Sequence, residues 1–223
     1  MHLFLKSPFK YLRTISILYW KNLLSLLPFE NDSYTKFVIL CTARTGSTWL
    51  HTLLNSHPRI ISLGEVVDHR TPKSQHLGFY FGKKPISIQA SGFKIFYGLE
   101  NPEYTQLLEQ LGSDHSIKII HLTREDKQAQ FASLRRAKQL RAWTKGMGIE
   151  RVDENLEEDS FGDFLKKAAS ASNLVEKELQ NHQVLTVSYE SLLNETNQTL
   201  FAIQEFLNVK PRKLFSILER QTQ

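Results

Sequence analysis

From residue 36 onward, the apolar residues alternate between short continuous runs and helically spaced segments. Phe37-Val38-Ile39-Leu40-Cys41 is an unbroken apolar run of strand length, as expected of a strand covered on both faces. A glycine-containing turn follows. Ser47 to Asn55 then places its apolar residues at helical spacing, stopped by His57-Pro58. Ser91 to Tyr97 predicts a second strand, and Pro102 to Leu111 a helix opened by Asn101-Pro102 and closed at Gly112. Ile117 to Leu122 predicts a third strand and Asp126 to Trp143 a long helix. Phe161 to Gln180 reads as a further helix and Val184 to Ser188 as a strand, with Glu195 to Leu207 and Arg212 to Gln221 as closing helices. Strands alternating with helices predict an α/β fold of three layers, α/β/α, around a central, mainly parallel sheet. The stretch 144–160 is glycine-marked and then acidic, and reads as a solvated loop or as a segment over the site.

The first 29 residues break this rhythm. They are rich in Leu, Ile, Phe, Tyr and Trp, yet the longest apolar stretch, Ile15 to Trp20, is interrupted by Ser16 and closed by Lys21. A membrane span needs about 20 mostly apolar residues, and a secretory signal needs a small-residue cleavage site. Neither is read here. Lys10, Thr14, Lys21 and Ser25 share one helical stripe beside Arg13, with a broad apolar face opposite. Residues 1–35 therefore predict a basic amphipathic helical arm ahead of a domain over 36–223. Such a face suits a membrane interface or a protein surface, so residues 1–29 offer peripheral membrane contact or a homodimer.

Composition narrows the class. At 223 residues, 41% hydrophobic and 23% charged, with ten Gly and seven Pro, the chain is neither disordered nor collagen-like. The single Cys41 excludes an intramolecular disulfide framework and a multi-cysteine zinc site, and the eight histidines show no ligand spacing, so no metal is expected. Lys6, Lys10, Arg13 and Lys21, with no acid among the first 29 residues, carry +4 of the net +5. The basic balance thus belongs to the arm, and no nucleic-acid partner is expected. Asn31, Asn194 and Asn197 each begin an N-x-[ST] sequon. Without a signal or span these read as chance matches in a cytoplasmic protein.

The most informative residues are Thr42-Ala43-Arg44-Thr45-Gly46-Ser47-Thr48-Trp49, between a strand and a helix. Such a turn gathers backbone N–H groups and a helix N-terminus at one point, a ready anion site. Gly46 permits close approach, and Ser47 and Thr48 add hydroxyls. The turn is P-loop-like, but the NTPase form needs a glycine where Cys41 stands and a lysine where Ser47 stands. Arg44 supplies a cation instead. A turn that merely caps its helix is the plain alternative. A second anchor follows the strand ending His121-Leu122-Thr123: Arg124, with Ser133 nine residues on. An arginine at the carboxyl end of a strand points into the ligand crevice of an open α/β sheet, and with a hydroxyl it suits a phosphate monoester.

On these residues the chain resembles the sulfotransferases that use 3′-phosphoadenosine 5′-phosphosulfate (PAPS). Arg44-Thr45-Gly46-Ser47-Thr48 is similar to their 5′-phosphosulfate loop, and Arg124 through Gln130 to Ser133 to their 3′-phosphate element. The Arg-x-Asp-Lys-x-x-Gln-x-x-Ser form most resembles the bacterial carbohydrate branch, the trehalose 2-sulfotransferase-like enzymes. Tyr189-Glu190-Ser191-Leu192 is similar to the element whose tyrosine lies near the adenine, and Trp49 to a tryptophan that stacks on it. Gly64-Glu65 resembles the element carrying a general base, and Gly92-Phe93-Lys94 the strand that brings a lysine towards the sulfuryl group.

The resemblance spans roughly residues 36 to 222. It implies cofactor binding by Arg44, Thr45, Gly46, Ser47, Thr48, Trp49, Arg124, Ser133 and Tyr189. It implies catalysis by Glu65, Arg44 and Lys94, and a hydroxyl of a carbohydrate or glycolipid as acceptor. His57 and His69 are the second-choice bases. Relatives continue past the point where Gln223 ends this chain, into a segment closing over cofactor and acceptor. Two readings compete: a P-loop phosphotransferase acting on a small metabolite, and a non-catalytic, membrane-associated nucleotide-binding module.

Overall fold

A computed structural model describes residues 30–66, 77–97, 102–139 and 160–216. In chain order the elements are β1 (Glu30–Asn31), β2 (Thr35–Cys41), α1 (Ser47–Asn55), β3 (Ile60–Glu65), α2 (Leu77–Tyr80), β4 (Lys84–Pro85) and β5 (Ala90–Phe96). They continue with α3 (Pro102–Ser113), β6 (Lys118–Thr123), α4 (Lys127–Gln139), α5 (Phe161–Glu178), β7 (Val184–Ser188), α6 (Tyr189–Asn194) and α7 (Thr196–Phe206). Residues 1–29, with the predicted arm, lie outside the described residues, as do 140–159 and His69. Glu30–Asn31 and Thr35 are strand, so the helical arm does not extend to residue 35.

Five strands form one sheet in the order β3-β5-β2-β6-β7, every pair parallel. β1 and β4 pair antiparallel beside it. β2 is central, and Phe37 to Cys41 are fully buried, which is why that run carries no polar residue. Two apolar layers enclose the sheet. Phe37, Ile39 and Cys41 face Leu50, Leu53 and Leu54 of α1 and Leu200 and Ile203 of α7. Val38 and Leu40 face the other way, with Phe93, Ile95, Ile119 and Leu107 and Leu111 of α3. The three-layer architecture expected from the strand–helix alternation is the one observed. Gly92 is required by this packing: a Cβ there would run into the Phe37 carbonyl and ring on the neighbouring strand.

Further sequence expectations differ from the structure. β3 was not predicted, because Ser62 and Gly64 break its apolar run; among the described residues it is an edge strand, paired with β5 alone. Residues 212–216, the described part of the predicted helix Arg212 to Gln221, are irregular. Buried Gln204 of α7 accepts from the Arg212 N–H at 3.0 Å and donates to the Arg212 carbonyl at 3.0 Å, and Ser56 Oγ accepts from the Phe215 N–H. The Gln204 side chain thus takes the Arg212 carbonyl, which a helix would pair with the Ser216 N–H.

The topology locates a crevice. From β2 the chain crosses to β3 and β5 on one side and then returns to β6 on the other. The carboxyl ends of β2 and β6 therefore flank the switch point, where open α/β sheets bind ligands.

Candidate functional site

The turn after β2 holds two left-handed residues, Arg44 at φ 65° and Gly46 at φ 83°. For Arg44 that conformation costs about 1–2 kcal/mol, and the surroundings hold it. Thr45 is buried, its hydroxyl donating to the Thr42 carbonyl at 2.9 Å. Gly46 has a second reason to lack a side chain, because a Cβ would lie 2.7 Å from the Tyr189 ring. Among the described residues no side chain caps α1, and no acid sits in its first turn. Its first-turn amides therefore face the crevice with the positive end of the helix dipole.

The β6–α4 segment braces this turn. Gln130, itself 1% exposed, donates from Nε2 to the Ala43 carbonyl at 2.7 Å and to Thr42 Oγ1 at 3.0 Å. Arg124 donates from Nη1 to the Arg44 carbonyl at 3.2 Å, and Ser133 Oγ accepts from Arg44 Nε at 3.0 Å. The Arg124 guanidinium lies over the Tyr189 ring, 4.6 Å from its centre, and its buried Nε has no hydrogen-bond partner among the described residues. Glu190, next to Tyr189, accepts from the N–H groups of Glu125 and Asp126. Burial, and then the nearby Arg124 charge, push the Arg44 pKa down from the usual arginine range. Two guanidiniums brought together at a helix N-terminus form a site that an anion would relieve.

On the other side of β2, a second pair assembles. Lys94, in the middle of β5, is 5% exposed. Its Nζ is 3.8 Å from Glu65 Oε2, 3.4 Å from Thr48 Oγ1 and 4.9 Å above the Phe96 ring. A bulge makes this possible. Ser62 pairs with Gly92, but the register then shifts so that Glu65, not Gly64, stands opposite Lys94. Gly64 takes φ 77° within the bulge. One extra residue reverses which side chains face α1, so without it the Glu65 carboxylate would turn away from Lys94. His51 of α1 supports the bulge, with Nδ1 2.8 Å from Ser62 Oγ and its ring against Gly64.

Most of the predicted site residues converge. Arg44, Gly46, Arg124, Ser133 and Tyr189 meet at the β2–β6 crevice, and Thr48 links it to Glu65 and Lys94. Thr45 and Ser47 are buried beside Cys41, so the hydroxyl expected from Ser47 is turned inward. Burial pushes the Cys41 thiol up to about 11, against the opposing pull of Lys94, Ser47 and Thr45. Trp49 is half-buried against the core beneath α1. His57 is 2% exposed; its Nδ1 accepts from the Arg59 N–H and its Nε2 lies 3.3 Å from the Lys210 carbonyl, so it is structural and not a base. Sequence reasoning assigned no role to Gln130, Glu190 or His51. Gln130 and Glu190 lay inside quoted motifs, and their positions were the available signal.

Among known proteins, the family model described as the sulfotransferase domain matches residues 34–223. Nodulation protein H of Rhizobium tropici is 28% identical over 200 residues, covering 81% of this chain and 78% of that protein. A solved sulfotransferase from Alicyclobacillus acidocaldarius has the same fold, with a TM-score of 0.53 at 14% identity over 84% of this chain and 86% of that one. The mouse sulfotransferase SULT7A1 complexed with PAP gives a TM-score of 0.48 at 15% identity over 86% of this chain. This chain spans 65% of the mouse protein's length.

Proposed function

The chain belongs to the sulfotransferase family, and from that premise we propose that it moves a sulfuryl group from PAPS to a hydroxyl of a carbohydrate or glycolipid. The observation that carries this reading is the meeting of Arg44, Arg124 and Ser133 at the mouth of an uncapped helix, with Glu65 and Lys94 one strand away. The residues fit such a donor. Buried Arg124 Nε has no partner among the described residues and offers a donor to a 3′-phosphate, and Ser133, bonded to Arg44, offers its hydroxyl. Arg44 and the amides from Gly46 to Thr48 suit the 5′ side, and the faces of Tyr189 and Trp49 suit the base.

PAPS would supply the activated sulfuryl group, and the remaining work falls to the chain. Arg44 and the α1 amides stabilise negative charge on the leaving phosphate side. Lys94 is held at the edge of the same turn by Thr48, where it adds positive charge near the transferred group. Glu65 accepts the proton of the acceptor hydroxyl, and its partner Lys94 keeps the carboxylate aimed towards the turn. The carbohydrate acceptor class rests on the Arg-x-Asp-Lys-x-x-Gln-x-x-Ser form running from Arg124 to Ser133.

Calorimetric titration of the protein with PAP, 5′-AMP and Mg-ATP in parallel tests the donor. PAP should bind tightly, and removal of the 3′-phosphate should weaken binding by about 10- to 100-fold, the worth of charge-assisted bonds to one phosphate. Equal or tighter binding of Mg-ATP would overturn the reading in favour of a phosphotransferase. Labelled PAPS offered with carbohydrate and glycolipid hydroxyls then tests the acceptor. PAP binding without transfer to any acceptor would favour a non-catalytic module.

A further inference from the structure

We propose that Glu190 is a positioning residue for Arg124, and that it sets how strongly the protein prefers a nucleotide bearing a 3′-phosphate. The inference rests on the reading of Arg124 as the 3′-phosphate ligand. Thr123 and Ser188 are register partners, so β6 and β7 end side by side. The short helix α6 begins there and is capped by Ser188, whose Oγ accepts from the Ser191 N–H at 3.0 Å. Glu190 reaches across instead. Its Oε2 accepts from the Glu125 N–H at 3.0 Å and its Oε1 from the Asp126 N–H at 3.2 Å. These are the two amides directly after Arg124.

The same dipeptide therefore grips Arg124 twice, with the Tyr189 ring against its guanidinium and the Glu190 carboxylate on the backbone that follows. Asp126 passes the constraint on, because its Oδ1 accepts from the Ala129 N–H at 2.8 Å in the first turn of α4, the helix that carries Gln130 and Ser133. Lys127 feels the Glu190 charge, so the carboxylate lies among charges of both signs. Its two fixed acceptor oxygens hold both amides, which would otherwise turn to water and leave the Arg124 backbone less constrained.

The test is calorimetric titration of wild type, Glu190→Gln and Glu190→Ala with PAP and with 5′-AMP, after thermal melts establish that each variant is folded. Glu190→Ala should lower the ratio of PAP to 5′-AMP affinity about tenfold while 5′-AMP binding stays within about twofold. Glu190→Gln is isosteric but keeps one acceptor oxygen, and should fall between, at about threefold. An unchanged ratio in both variants, or parallel loss of both ligands, would overturn the positioning role. If wild type itself did not prefer PAP, the cofactor reading would fail first, and the proposal with it.

Discussion

Arg124 and Glu65 stand on opposite sides of β2, and the proposed function divides binding from chemistry between them. Arg124→Ala removes a buried guanidinium and should weaken PAP binding about 10- to 100-fold, with turnover at saturating donor changed far less. Glu65→Gln should leave PAP affinity within about twofold and lower turnover by about 10²- to 10⁴-fold, the range for a lost general base. Donor titration and steady-state kinetics on both variants check this, and equal loss of binding in both would contradict the division. Arg44, Arg124 and Tyr189 of the candidate phosphate crevice were legible in the sequence because each lies just after a strand end, where residue type and position together imply direction, and Ser133, inside α4, was legible through its spacing from Arg124. The Lys94–Glu65 pair was legible only as two candidates. Their meeting depends on a one-residue register shift at Gly64, which no local pattern encodes. Gln130 and Glu190 act through backbone groups 87 and 64 residues away, so their contribution follows from topology and not from the motifs that contain them.

Two glycines illustrate how elements, once packed, set the consequences of a change. At Gly92 an added Cβ meets the Phe37 carbonyl of β2, which cannot move without breaking the ladder at the sheet centre. Gly92→Ala should therefore cost about 3 kcal/mol or more, at or above the top of the usual overpacking range. At Gly64 the nearest contact of a Cβ is the His51 ring at 3.4 Å, so the main penalty is the left-handed backbone at φ 77°. Gly64→Ala should cost only about 1–2 kcal/mol, yet it should lower turnover without weakening PAP binding, because the bulge aims Glu65. Urea unfolding midpoints and kinetics on the two variants separate packing from aim; a turnover unchanged in Gly64→Ala would remove the bulge from the mechanism. The same logic explains what the sequence revealed of the elements. Apolar runs buried on both faces, such as Phe37 to Cys41, announced themselves. The edge strand β3, interrupted by Ser62 and Gly64, did not, and the irregular 209–216 stretch is dictated by Gln204 from another element.

Across the whole molecule, the sheet carries the site on its α1 face and a buried polar pair on the other. Tyr97 Oη lies 2.9 Å from His121 Nε2, and the Tyr97 N–H donates to the Cys41 carbonyl at 3.0 Å, where β2 gives way to the phosphate turn. Burial pushes the Tyr97 phenol up to about 12, assisted by Cys41 and Glu176. Burial likewise holds the His121 imidazole below its ordinary value, with Lys127 acting in the same direction and Glu176 against it. The sign of the pH dependence follows. The unfolded chain binds a proton at His121 near pH 6.5 and the folded protein only below that, so this contribution is complete above about pH 6.5 and is lost as pH falls beneath it, by at most about 1.4 kcal/mol per pH unit. Asp114 contributes in a lower window: burial opposes its ionisation, but bonds from Ser116 and the charges of Lys36 and His182 hold its pKa below the usual value. That contribution is therefore lost only as pH falls below about 4. Urea unfolding at pH 5.5 and 7.5 should thus show wild type less stable at the lower pH, and His121→Gln, which keeps a polar partner for Tyr97, should flatten the difference. Because this pair adjoins the root of the phosphate turn, PAP affinity should weaken over the same interval in wild type and less so in the variant. An identical pH slope in both proteins would place the acid sensitivity elsewhere.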